Sequence, residues 1–140
     1  MAGEKKMKVT LELTEAQART VLHALDAYSR IGCGQFQIVR EVVVDNWPKH
    51  HDYEGVSDLS LGHAKRVLFP ELGHQNASFS IPNREVPVTF RRAWDIYKHL
   101  EQALAVARDP NPSFRGVQYD GAILNVSDEA LPVVKVEKLP

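Results

Sequence analysis

The sequence predicts a mixed α+β domain in which about three helices pack against a small, mostly antiparallel sheet. Two observations support this prediction. Apolar residues recur at helical spacing in residues 14–28, 36–47 and 87–108. Residues 7–13 instead alternate strictly between apolar and polar side chains, which is typical of a half-buried strand.

The first predicted helix begins at Thr14. Gln17 follows three residues later, and this spacing is typical of a capping box that satisfies the free N–H groups of a helix start. Its apolar face consists of Val21, Leu22, Leu25 and Tyr28.

In the second predicted helix, Phe36, Val39, Val43 and Trp47 repeat at helical spacing until Pro48 stops the pattern. A β-branched run at residues 42–44 leaves a strand possible there. Residues 48–74 are punctuated by prolines and glycines, so we expect an irregular or inserted region with one short helix at residues 59–68.

The longest predicted helix runs from Pro87, a favourable first helical position, to about Arg108, where residues 109–112 end it. Further strands are predicted at residues 77–81, 114–120 and 131–138. With no internal repeat, the 140 residues are expected to form a single domain.

Composition excludes several classes of protein. The chain is 44% apolar and 25% charged, as soluble globular proteins are. Its net charge of −1 argues against a protein that grips duplex nucleic acid through phosphate contacts. No apolar run approaches the length of a membrane span, and no apolar stretch follows residues 1–6 to make a signal peptide. The single cysteine, Cys33, excludes an intrachain disulfide and fits a reducing cytoplasm.

The sequence shows no recognisable enzyme motif. The six histidines form no HExxH motif, and a zinc site from His50, His63 and His74 is geometrically possible but not enforced by their spacing. We expect Cys33 to be a buried structural thiol, since no histidine is fixed beside it. We therefore predict no catalytic residue, no metal and no cofactor.

A candidate ligand site surrounds a glycine corner at residues 28–36. Glycines let backbone N–H groups approach a ligand, and a helix restarting at Gln35 would present its positive end to an anion. Guanidinium groups match phosphate geometry, and aromatic rings can stack on a purine. The candidate ligand-binding residues are Tyr28, Arg30, Gly34, Gln35, Phe36, Asn83, Arg91, Trp94 and Arg115. The alternative is a structural helix corner, with the aromatic residues of the long helix in the core.

Three passages together resemble a widespread family of small proteins encoded by tailed bacteriophages. The similarity covers most of the chain outside residues 48–74. The passages are Tyr28-Ser29-Arg30-Ile31-Gly32-Cys33-Gly34-Gln35-Phe36, Val86-Pro87 through Arg92-Ala93-Trp94-Asp95-Ile96-Tyr97, and a tail comprising Gly116-Val117-Gln118-Tyr119-Asp120 and Ala130-Leu131-Pro132-Val133-Val134-Lys135-Val136.

Phage proteins of this size include anti-defence sponges. The resemblance implies binding of cyclic nucleotides or cyclic ADP-ribose signals from bacterial immune systems such as CBASS and Thoeris, without cleavage of the signal. It also implies a homo-oligomer with pockets at subunit interfaces, acting in the cytoplasm of the infected host. Arg30, just after the first helix, is the phosphate clamp that the resemblance suggests.

Two other functions remain open. In one, the chain is a protein-binding phage accessory or inhibitor protein without a small-molecule site, and the apolar loops around Trp47 and Phe69 form its interface. In the other, it is a weak phosphodiesterase or nucleotide hydrolase that uses the histidines of residues 50–74. We expect an oligomer in which the long helix, with Trp94, packs at the interface.

Overall fold

A computed structural model describes residues 6–47, 55–74, 76–120 and 125–140. Within these ranges the chain forms helices joined by turns and segments without regular structure. The helices are α1 (Glu15–Gly32), α2 (Gln37–Asn46), α3 (Val56–Leu68), α4 (Val88–Arg108) and α5 (Val117–Asp120).

The predicted α+β class is wrong, because the described residues contain helices and no strand. A strand requires a neighbour that completes its ladder of hydrogen bonds. Residues 7–13 and 131–138 form neither helix nor strand, and no other described residue pairs with their backbone. The alternation of their apolar and polar side chains therefore does not correspond to a sheet among the described residues.

Two more predicted strands are absent for local reasons. Phe79, in residues 77–81, donates one backbone hydrogen bond to the Cys33 carbonyl at 2.9 Å, which ties this segment to a helix corner. In residues 114–120, the short helix α5 places the Tyr119 side chain in the interior, 6% exposed. Its hydroxyl donates to the Asp109 carbonyl at 2.9 Å.

Packing of α1 against α4 forms the centre of the molecule. The predicted capping box is confirmed: the Thr14 side chain accepts from the Gln17 backbone N–H, and the Gln17 side chain accepts from the Thr14 N–H at 2.9 Å. Burial of one apolar stripe on each helix is the main stabilising contribution here. The buried cluster consists of Ala18, Leu22 and Leu104, with Tyr97 and Leu100 packed against it.

A glycine allows α1 and α4 to approach closely near the end of α1. A Cβ atom added at Gly32 would lie only 2.1 Å from Cγ of Phe90, so a side chain there would displace the ring. The same ring contacts Tyr28, with ring centroids 4.8 Å apart.

An aromatic cluster supports the corner between α1 and α2. Phe69 lies between Phe36 and Phe79, with centroid distances of 5.7 and 6.1 Å and edge-on geometry in both pairs. Gly34 turns the chain with a φ of +83°, a conformation that favours glycine, and Leu72 packs directly against it.

A buried carboxylate attaches the C-terminal segment to α4. Asp95, 2% exposed, accepts hydrogen bonds from the backbone N–H groups of Val126 and Ser127, both at 3.0 Å, and from the Ser127 hydroxyl. On the outside, Arg92 makes a bidentate ion pair with Glu129 at 2.6 and 2.7 Å.

None of the described helices has both the length and the apolar character needed to cross a lipid bilayer.

Candidate functional site

A polar cleft of about 280 Å³ lies where the end of α1, the start of α2, α3 and the segment after it meet. Seven of its nine lining residues have polar or charged side chains. These seven are Arg30, Gln35, Gln37, Glu41, Lys65, Asn76 and Ser78, and Ile38 and Ala77 complete the lining.

Arg30 is held in a fixed orientation at this cleft. Its Nε donates to Oδ1 of Asp26 at 2.9 Å, one helical turn earlier, and its Nη1 donates to Oε1 of Gln35 at 3.1 Å. Burial opposes the charged form of Arg30, but the hydrogen bond and charge of Asp26 outweigh it and raise the pKa of Arg30 above its ordinary value. The guanidinium therefore remains charged and oriented.

The corner brings Gln35 next to Arg30. The Gln35 backbone N–H donates to the Arg30 carbonyl at 2.9 Å, which closes the turn around Gly34. The Gln35 side chain accepts from Arg30 and reaches towards Oγ of Ser78 at 3.5 Å. The amide thus connects the corner to the opposite wall of the cleft.

Lys65 supplies a second cation from α3. The residue is 3% exposed, and its ammonium donates to the Ala77 carbonyl. Burial lowers the pKa of Lys65 below its ordinary value, because the charged form loses hydration. Lys65 therefore anchors the segment after α3 and adds positive charge to the cleft.

The first turn of α2 lines the same cleft. The helix begins at Gln37, two residues after the predicted restart, and Phe36 precedes it without a side-chain cap. Gln37, Ile38 and Glu41 face the cleft. The amino end of α2 therefore adds its partial positive charge to this wall, while Glu41 contributes a carboxylate.

Gly34 and Phe36 support the cleft and do not line it. Gly34 provides the turn, and Phe36, 8% exposed, packs on Phe69 beneath the corner. Tyr28 lies on the other side of α1, where its hydroxyl is 3.0 Å from Oγ1 of Thr89.

Asn83 and Arg91 have structural contacts elsewhere. The Asn83 side chain accepts from the Glu85 N–H at 2.9 Å and closes the turn before α4. Arg91 donates to the Val86 and Val126 carbonyls at 2.9 and 3.0 Å, so it fastens the C-terminal segment with Asp95.

Trp94 and Arg115 also lie outside the cleft. The Trp94 ring contacts Tyr97, with centroids 5.6 Å apart, and the Lys98 ammonium lies 5.5 Å from its centre. The Arg115 guanidinium lies 5.2 Å from the ring centre of Tyr119. Of the nine predicted ligand-binding residues, the cleft brings together Arg30 and Gln35.

Some of the cleft residues that the sequence prediction missed come from distant parts of the chain. Lys65, Asn76 and Ser78 approach Arg30 only after α3 has folded back on α2. One signal was available. Lys65 follows Gly62 by three residues, so both share the inward face of α3, where lysine is rarely found.

Histidine and cysteine chemistry receives no geometric support within the described ranges. Groups of three or more potential metal ligands do not occur there, and His50 and His51 lie outside those ranges. The predicted burial of Cys33 is confirmed, at 3% exposure. Burial raises the pKa of its thiol, and the charge of Arg30 offsets part of that rise.

A second groove of about 420 Å³ lies between the C-terminal half of α4 and residues 132–136. Six of its eight lining residues are apolar, and His99 and Gln102 are the polar ones. This groove is better suited to binding an apolar surface than to binding an anion.

No protein-family model, curated protein or solved structure matches this chain.

Proposed function

We propose that this chain binds a small anionic nucleotide signal, a cyclic nucleotide or a cyclic ADP-ribose, in the Arg30 cleft and holds it uncleaved. The observation that supports this most is a guanidinium fixed by Asp26 and Gln35 at a cleft lined mainly by polar side chains. Together with the resemblance to tailed-phage proteins, it supports an anti-defence role, sequestering a CBASS or Thoeris signal in the cytoplasm of the infected bacterium.

Three sources of positive charge favour an anion. Arg30 presents a planar fork that matches phosphate oxygens, and Lys65 contributes an ammonium from the opposite helix. The amino end of α2 adds the positive end of its dipole. Glu41 opposes this charge, so a ligand that also offers hydroxyl or amino donors fits better than a bare phosphate.

The volume of the cleft favours one nucleotide unit per chain. At about 280 Å³ it lies just below the range of pockets that enclose drug-sized molecules. A cyclic dinucleotide or trinucleotide therefore needs further surface, and a second copy of the chain would supply it. This agrees with the homo-oligomer that the resemblance implies.

The chemical groups that line the cleft support binding of the nucleotide without its cleavage. Amides, a hydroxyl and two cations bind phosphate and sugar by hydrogen bonds. Lys65 donates to a backbone carbonyl in the described structure, which suits an anchoring role.

A thermal-shift panel tests the proposal. The compounds are cyclic dinucleotides, cyclic trinucleotides and isomers of cyclic ADP-ribose. A ligand present at 100 times its dissociation constant stabilises the folded state by about 2.7 kcal/mol, which raises the melting temperature by several degrees. Chromatography after denaturation should return the bound compound intact. A panel without any shift, or recovery of hydrolysed compound, contradicts the proposal.

A second candidate function is protein binding, as an accessory or inhibitor protein. Its support is a set of exposed apolar side chains on α2, at its C-cap and on α3, which includes the C-cap residue Trp47 at 66% and Leu59 at 75% exposure. Phe69, expected at the same surface, packs instead between Phe36 and Phe79. This candidate takes precedence if the nucleotide panel gives no shift.

A further inference from the structure

Residues 7–13 lie before α1, outside any helix, and their apolar side chains face solvent. Met7, Val9 and Leu11 are 86%, 88% and 69% exposed, and Leu13 is 39% exposed. No backbone hydrogen bond joins this segment to another described part of the chain. An apolar edge with free N–H and C=O groups is a template for pairing with another strand.

The sequence of this segment is complementary to itself in the antiparallel sense. When two copies are paired about a two-fold axis at Thr10, Lys8 of each copy lies opposite Glu12 of the other. Opposite charges and paired threonines at directly opposed positions both stabilise a ribbon. The other opposed pairs are Met7 with Leu13, Val9 with Leu11 and Thr10 with itself.

We propose that residues 7–13 pair with the same residues of a second copy, as a two-stranded antiparallel ribbon at a symmetric dimer interface. Each chain keeps its helical fold, and the ribbon exists only between copies. The residue that meets itself on the two-fold axis is Thr10, as a self-complementary interface requires. This inference goes beyond the proposed nucleotide binding and does not depend on it.

The apolar face of the ribbon needs cover, because an isolated two-stranded ribbon is only marginally stable in water. Met7, Val9, Leu11 and Leu13 lie on one face. The segment leaves α1 beside the last turn of α4, where Arg108 contacts Glu15 at 3.3 Å. The C-terminal half of α4 also lines the mostly apolar groove of about 420 Å³, so the ribbon's apolar face has a matching surface at this end.

Cysteine crosslinking tests the register. In the proposed ribbon two Thr10→Cys side chains face each other, with Cα atoms about 5 Å apart, a distance that a disulfide spans. Two Lys8→Cys side chains are offset by four residues along the ribbon, which places them about 13 Å apart. Cys33 is buried at 3% exposure and does not compete.

We expect mild oxidation to convert most Thr10→Cys protein to a covalent dimer and to leave Lys8→Cys mainly uncrosslinked. Equal crosslinking of the two variants contradicts the register. A monomer by light scattering at micromolar concentration contradicts the dimer. Preferential crosslinking of Thr10→Cys to Val133→Cys, which replaces a residue 84% exposed in the C-terminal segment, would also overturn self-pairing.

A charge exchange provides an independent test. In Lys8→Glu, the new carboxylate of each copy lies opposite Glu12 of the other copy, so the dimer contains two repulsive pairs. We expect the dissociation constant of the dimer to rise about tenfold. Combining Lys8→Glu with Glu12→Lys restores both pairs and should return the constant to within about threefold of the original. Within one copy these residues are about 13 Å apart, so restoration reports contact between copies. A double variant no better than the single variant overturns the proposal.

Discussion

Asp95 shows how one buried side chain can determine the position of a whole segment. Its carboxylate accepts from the N–H groups of Val126 and Ser127 and from the Ser127 hydroxyl, within the interior. Asp95→Ala leaves these donors without an acceptor, so we expect the free energy of unfolding to fall by about 3 kcal/mol. Urea unfolding measures this loss.

The control for Asp95 is an exposed aspartate in the same segment. Asp128 pairs with Arg84 at the surface, with 65% of its side chain exposed, and such pairs contribute little. Asparagine tolerates its positive φ of 61°, so Asp128→Asn should change stability by less than about 0.5 kcal/mol. Equal losses in the two variants would show that Asp95 is not the anchor.

Arg30 is the residue on which nucleotide binding depends most. Arg30→Ala should weaken binding of the best panel compound at least tenfold, about 1.4 kcal/mol, because it removes the oriented fork. Arg30→Lys should restore only part of this, since an ammonium cannot form two parallel hydrogen bonds. Calorimetric titration measures the affinities, and melting temperatures recorded in parallel should remain within a few degrees.

Arg66→Ala is the matched control for Arg30. Arg66 is exposed and adjacent in sequence to Lys65, but it does not line the cleft. Its loss changes the net charge equally and should leave affinity within about twofold. Equal weakening by both substitutions would point to long-range attraction and against a site at Arg30.

Residues of the site could be predicted from the sequence only where they lie close together along the chain. Arg30 and Gln35 lie five residues apart across a glycine corner, and both line the cleft. Arg91 and Asn83 have equally suitable chemistry, but their partners are backbone groups of the C-terminal segment and of the turn before α4. The sequence does not show which polar side chains bind backbone groups and which remain available for a ligand.

At the level of elements, two glycines in helices are expected to respond oppositely to alanine. Gly32→Ala places a Cβ against the Phe90 ring between α1 and α4, and should destabilise the fold by about 2 kcal/mol. Gly62 in α3 has only the end of Arg66 nearby, at 3.8 Å, so Gly62→Ala should stabilise by about 0.5 kcal/mol through helix propensity. Thermal unfolding of both variants checks the signs, and a stabilised Gly32→Ala would contradict the α1/α4 packing.

Within α4, Tyr97 should make the fold sensitive to alkaline pH. Burial and the hydrogen bond to Glu101 raise the pKa of its phenol above the ordinary value of 10.0. The unfolded chain therefore loses this proton first, so the stabilisation is complete below about pH 10 and is lost as pH rises further. Tyr97→Phe should cost about 1 kcal/mol at neutral pH and should flatten the decline in stability above pH 10. Parallel declines in urea unfolding would contradict this role.

The helices could be predicted because their sequence signals are local. The lack of a sheet among the described residues could not be predicted in this way. The capping box at Thr14 and the apolar periodicity of α1 and α4 fall within a few turns of chain. Alternation at residues 7–13 indicates a strand only when a partner is present, and none of the described residues provides one. Residues 114–120 were misassigned because burial of Tyr119 decides their conformation.

At the scale of the whole molecule, the α1/α4 pair is a scaffold with two different surfaces. The polar Arg30 cleft lies at the C-terminal end of α1, and the apolar groove lies along the C-terminal half of α4. The Arg108–Glu15 contact places the last turn of α4 beside the first turn of α1, so the two surfaces lie at opposite ends of α1. Nucleotide binding at the cleft and pairing of residues 7–13 between copies can therefore be tested separately.

Hydrogen exchange with and without the best panel compound tests the central claim most directly. We predict that bound nucleotide slows amide exchange at residues 34–38 and 76–78, which line or border the cleft, and leaves residues 103–107 and 132–136 of the apolar groove unchanged. Protection confined to the apolar groove, or a thermal shift without protection at the cleft, would contradict binding at Arg30.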